Sequence, residues 1–118
     1  MRQTFVIEGR FPSLNEFYRM REHEQGRVKR ECDDLVAWSA KAAHVMPYSV
    51  PIRYHILWVE PNRRRDLDNI AFGKKFIQDG LVKARVLKND TRHEIVGFSD
   101  EFAYDSQNPR IVVTLEEA

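Results

Sequence analysis

Polar and apolar residues alternate over Gln3-Thr4-Phe5-Val6-Ile7-Glu8, the period of a half-buried strand, and Gly9 stops the run. Phe11-Pro12-Ser13-Leu14-Asn15 then reads as a turn or loop, because Pro fixes one dihedral and Ser and Asn bond local backbone. Arg19 to Arg30 is so polar, with Gly26 inside it, that it predicts a mobile loop or a frayed helix start. From Val28 to Met46 the residues Leu35, Val36, Trp38, Ala42, Ala43 and Val45 predict a helix, ended by Pro47. A strand over Val50 to Glu60 holds Ile52, Tyr54, Ile56, Leu57, Trp58 and Val59 and closes at Pro61-Asn62. A second helix is expected from about Asn69 to Ala84. Strands follow at Glu94–Phe102 and Arg110–Leu115, divided by the turn Asp105-Ser106-Gln107-Asn108-Pro109. The order β-α-β-α-β-β fits an α+β two-layer sandwich, one mixed β-sheet with both helices on one face.

The second helix orients the polar residues around it. At 100° per residue, Ile70, Gly73, Ile77, Gly80, Leu81 and Ala84 share the core face. Lys75 and Asp79 point away from it, Asp68 falls in nearly the direction of Lys75, and Lys74 lies nearer the core edge. Periodicity thus favours Lys75 over Lys74 as a lysine able to reach Asp68. A plain surface pair of Lys75 with Asp79, four residues on, accounts for the same spacing. Asp68 is equally well placed to cap the helix.

Length and composition narrow the class. A chain of 118 residues makes one domain, with 42% hydrophobic and 31% charged residues as in ordinary soluble proteins. No apolar run reaches the length of a membrane span and no signal-peptide core follows Met1, so a cytoplasmic protein without membrane contact is expected. The lone Cys32 cannot form an internal disulfide and reads as a small buried hydrophobe. His23, His44, His55 and His93 lack zinc or nucleophile–base spacing and read as structural or surface groups. Trp38 and Trp58, inside apolar patterns, read as core. A net charge of +1 argues against a polyanionic partner, but its distribution reverses that. Residues 61–92 carry nine Lys/Arg against four acids, whereas residues 93–118 carry one against six.

The basic part surrounds the chemically richest stretch, Arg63-Arg64-Arg65-Asp66-Leu67-Asp68-Asn69, with Asp90 some twenty residues on. Two carboxylates one residue apart are hard to keep ionised together without a cation between them. Mg²⁺ takes one or two carboxylates together with phosphate oxygens and water. Guanidinium forks fit phosphate oxygens. Together these residues suggest metal-dependent cutting of a phosphodiester.

Arg64-Arg65-Asp66-Leu67-Asp68-Asn69, a following lysine, Asp79-Gly80-Leu81 and Asn89-Asp90 resemble the signature of the RusA-type Holliday junction resolvases. Pro12-Ser13-Leu14-Asn15-Glu16-Phe17-Tyr18-Arg19 is similar to that family's amino-terminal Pro-Ser-x-Asn-x-x-Tyr-Arg element. The resemblance implies a small dimeric endodeoxyribonuclease that resolves four-way DNA junctions by paired nicking, in recombination and repair, of phage or prophage origin. It implies that Asp66, Asp68 and Asp90 hold Mg²⁺, or Mn²⁺ in its place, and that Lys75 is the active lysine. Arg63, Arg64, Arg65, Lys74 and Lys88, with Arg19 and Asn15, would then hold DNA. Two departures stand out. More residues separate Asn69 from the lysine than in the family pattern, so counting back from Asp79 selects Lys75, counting forward lands near Phe72, and Lys74 stays a rival. Asn89 stands where some members carry a further acid. Phe17 and Tyr18 suit either an aromatic wedge at a branch point or packing between subunits. A flap- or fork-directed nuclease and a junction-binding protein without catalysis are the alternative functions. A Ca²⁺-stabilised domain is disfavoured, since the later ligands and glycine of an EF-hand loop are missing.

Overall fold

Alternation buries Phe5 and Ile7 of the first strand, β1 (Arg2–Glu8), and leaves Thr4 and Val6 exposed. The same rule buries Ile52, Tyr54, Ile56 and Trp58 of β2 (Ile52–Glu60) and Ile111, Val113 and Leu115 of β4 (Arg110–Glu117). All enter one core with Val36 and Ala40 of α2 (Glu22–Ala42) and with Phe76, Ile77 and Leu81 of α4 (Lys74–Lys83). Each large apolar side chain there contributes about 1.5–3 kcal/mol on leaving water. The computed structural model describes residues 1–118 and adds β3 (Ile95–Tyr104) and two five-residue helices, α1 (Leu14–Tyr18) and α3 (Leu67–Ala71). The strand order is β1-β4-β2-β3, with β4 antiparallel to both neighbours and β2 parallel to β3. This is an α+β fold of two layers, a mixed four-stranded sheet with helices on one face and solvent on the other.

Both expected helices differ in detail. Residues 22–30 are not a loop or a frayed start; they are the opening turns of the 21-residue α2. Val28, Cys32, Val36 and Ala40 recur every four residues and form its inner stripe, which packs on the core. Arg27–Glu31 and Lys29–Asp33 ion pairs at i,i+4 support the polar side. Trp38 lies off that stripe and is 69% exposed, so it is surface and not core. The helix ends at Ala42, ahead of Pro47, where His44 adopts a left-handed φ of 56°. The expected helix over 69–84 begins at Leu67 and breaks at Phe72-Gly73 into α3 and α4. Gly73 at the break has no room for a side chain: a Cβ there would lie 2.7 Å from Phe11 Cδ2 and 3.3 Å from the Trp58 ring.

After α4, Arg85 takes a φ of 62° and the chain doubles back. Val86 and Leu87 sink into the core, and the Tyr48 N–H donates to the Val86 carbonyl at 2.9 Å. No helix of the chain is long and apolar enough to cross a membrane.

Candidate active site

The two clustered acids sit where β2 gives way to α3. Asp66 is the N-cap residue of α3, yet its side chain makes no capping bond. Asp68, expected as the cap, lies instead in the first turn, where its Oδ1 accepts from the Asn69 N–H at 3.0 Å. Both carboxylates are exposed. A helix N-terminus beside them adds a weak positive potential. The arrangement offers oxygens to a cation from the solvent side.

The arginines before them divide by role. Arg65 turns inward, 16% exposed, donating to the Phe11 carbonyl at 2.8 Å and pairing with Glu16. Arg63 lies over the Tyr104 ring at 4.7 Å, a cation–π contact. Arg64 is exposed, and its N–H donates to Asn62 Oδ1. Of the three expected DNA contacts, Arg65 is thus occupied in holding the loop to the sheet. Behind it lies Glu60, only 3% exposed, paired with Arg10 at 2.9 Å and 4.0 Å from Arg65. A lone acid closing an apolar strand was the one hint of this buried anchor in the sequence.

Arg65 also ties α1 to the acids. Ser13 and Glu16 form a reciprocal capping box at the start of α1, with bonds of 3.1 and 2.9 Å. The Ser13 backbone N–H bond outweighs burial and holds the Glu16 carboxyl below the usual range. Phe17, partly buried, packs against Phe72 at 5.3 Å and Phe76 at 5.8 Å at the edge of the core. Tyr18 remains 71% exposed. Asn15 on the same short helix and Arg19 at its end are exposed, and the helix lies against α3. The amino-terminal element and the acid pair, fifty residues apart, share one surface.

Lys75 and Lys74 separate cleanly. Lys74, 17% exposed, sits 3.9 Å from the Phe98 ring centre and donates to Asp100 Oδ2 at 2.6 Å. Asp100 also accepts from Trp58 Nε1 at 2.9 Å. This satisfied pair leaves Lys74 poorly placed to meet DNA. Lys75 is 60% exposed and reaches both Asp79 Oδ1 and Asp90 Oδ2 at 3.1 Å. The Asp90 hydrogen bond, with that of Asp79, raises the Lys75 pKa above its ordinary value. The doubling-back of residues 85–90 is what brings Asp90 to Lys75. Lys88 is exposed beside a cavity of about 410 Å³ lined by Tyr48, Pro51, Leu87, His93 and Glu94.

No three His, Cys, Asp or Glu side chains stand close enough together to form a metal cage. Asp66, Asp68 and Asp90, expected as one ligand set, are thus not gathered into a single group in this chain. Mg²⁺ binds through one or two carboxylates and completes its shell with water and phosphate oxygens. Asp66 and Asp68 are both exposed and stand two positions apart in the chain, while Asp90 is engaged by Lys75. Among the histidines, His55 bonds Ser99 at 2.6 Å and Glu101 at 3.1 Å on the open sheet face, and the other three are exposed.

The chain matches no protein-family model, and no curated protein matches it in sequence.

Proposed function

We propose that the protein is a metal-dependent endonuclease acting on branched DNA, with the four-way junction as substrate and a homodimer as the working form. The observation that supports this most is the meeting of Lys75 with Asp90, fifteen residues apart, on the chain that also exposes Asp66 and Asp68. Asp66 and Asp68 would hold the ion, and Asp90 would join them once a phosphate takes its place on Lys75. When bound, Mg²⁺ would supply an activated water and neutralise charge on the phosphate. Lys75 then faces the developing negative charge as a preorganised cation. Arg63, Arg64, Arg19, Lys88 and Asn15 contact the DNA backbone, which positions a duplex without reading its sequence. Two sites related by a two-fold axis suit paired nicks on opposing strands.

The test is incubation with a labelled four-way junction and Mg²⁺, beside linear duplex, a flap and an Asp68→Asn variant. The expected outcome is paired nicking of the junction by the parent and junction binding without cutting by the variant. Cutting of the flap alone would reassign the substrate. A variant that cuts at the parental rate would remove Asp68 from the site.

A further inference from the structure

Lys75 carries a long flexible side chain on the surface, so something must hold it if it is to act as a preorganised cation. Its two partners differ in how well they are anchored. Asp90 lies on an irregular segment and is expected to change partners during the proposed reaction. Asp79 sits on the same helix, one turn from Lys75, and its other carboxylate oxygen is already taken. Lys29 of α2 donates to Asp79 Oδ2 at 2.7 Å, leaving Oδ1 for Lys75. The same ammonium donates to Asp33 Oδ2 at 2.7 Å. The charges therefore alternate along Asp33, Lys29, Asp79, Lys75 and Asp90, running from α2 across α4 to the returning chain. The carboxylates are the less exposed members: Asp33 is 14%, Asp90 21% and Asp79 23% exposed, against 39% for Lys29 and 60% for Lys75.

The backbone explains why a residue on α2 can reach Asp79. Gly80, next in sequence, has no room for a side chain against Val36 and the Asp33 carbonyl, so α2 and α4 are in direct contact there. Burial alone would raise the Asp79 pKa; the hydrogen bonds from Lys29 and Lys75 outweigh it and hold the carboxyl below its ordinary value.

We infer that Lys29 is a positioning residue for Lys75, fixing the Asp79 carboxylate so that the Lys75 ammonium stays at the site when Asp90 turns to another partner. This rests on the nuclease reading for its kinetic consequence, but not for its structural one. In single-turnover cleavage of the four-way junction at saturating DNA, Lys29→Met should lower the rate on the order of 10- to 100-fold, the scale on which misplaced catalytic groups act. Junction Kd should stay within a factor of about two, and Lys29→Arg, which keeps the charge, should restore most of the rate. In a Lys75→Met background, Lys29→Met should cost nothing further, because the group it positions is gone. An equal loss in both backgrounds would show a general structural role and overturn the inference. So would a parental rate for Lys29→Met.

A second measurement does not depend on cleavage. In ¹⁵N spectra of the lysine ammonium groups, Lys75 should be ordered in the parent and lose that order in Lys29→Met. An unchanged Lys75 signal would overturn the inference whatever the enzyme's activity. Loss of Lys75 order in a protein that cuts no DNA would uphold the positioning and discard the nuclease reading.

Discussion

Two helical glycines should respond in opposite directions to the same substitution. Alanine is better than glycine in a helix interior by about 0.8–1.0 kcal/mol, so either replacement begins with a gain. At Gly26 the nearest atom to a new Cβ is the flexible Arg30 Nη1 at 3.5 Å, an ordinary contact, and the gain survives. At Gly80 the Cβ would stand 2.5 Å from Val36 Cγ1, closer still to Val36 Cβ, and 3.0 Å from the Asp33 carbonyl oxygen. Val36 is fully buried and its Cβ cannot rotate away. The helices must part by about an ångström, and overpacking of this kind costs about 1–3 kcal/mol. With backbone rather than a flexible tip in the way, the upper end applies, giving a net loss of about 2 kcal/mol for Gly80→Ala. Urea unfolding followed by circular dichroism would read this as a lower midpoint with an unchanged slope, and melting should fall by roughly 8 °C. Gly26→Ala should shift the midpoint upward. Adding Val36→Ala should recover little of the loss, because alanine keeps the Cβ that stands nearest. If Gly80→Ala proved as stable as the parent, the close approach of α2 and α4 would be wrong.

Other expectations follow from single sites. Ser13→Ala removes the capping box and should cost about 1 kcal/mol in the same urea assay. Burial, with Asp33 and Glu31 nearby, pushes the Cys32 thiol up to about 11. Iodoacetamide at about pH 8 should therefore leave it unlabelled until urea unfolds the chain. The Asp79 carboxyl is held below its ordinary 3.8, so its stabilisation is complete above that pH and fades as pH falls through the depressed value. Asp79→Asn should accordingly flatten the acid limb of a stability–pH curve below pH 3.8, while lowering stability at neutral pH.

The sequence was most readable where one periodicity governs many residues. The alternation in β1, β2 and β4 and the core stripe of α4 survive almost intact, because each strand buries one face against the same layer. Pattern failed where polar residues satisfy one another. The start of α2 looked too hydrophilic to be ordered, yet its ion pairs and its four-residue stripe make it regular helix. Trp38 misled for the converse reason, since an apolar residue on a helix says nothing about which side it faces until the stripe is fixed. Within the candidate site, the helical phase put Lys75 on the exposed side apart from Lys74, but the lysine meets Asp79 and Asp90 and not the expected Asp68. The inward turn of Arg65 was not legible, because its partners Phe11 and Glu16 lie some fifty residues away. Nor was the bridge from Lys29 to Asp79, which depends on a close contact between helices at Gly80.

The strand order has a consequence for how the chain is made. β4 is the last element in sequence, yet it lies between β1 and β2 and is the only strand that joins them. During synthesis, β1 has no sheet partner and β2 has none on that side until residues 110–117 emerge from the ribosome. Assembly of the sheet therefore waits for β4 and proceeds through contacts between distant parts of the chain, a topology that folds slowly. Shortening β4 would remove the keystone of the sheet, and a ribosome stalled before it would hold a chain that cannot close its core.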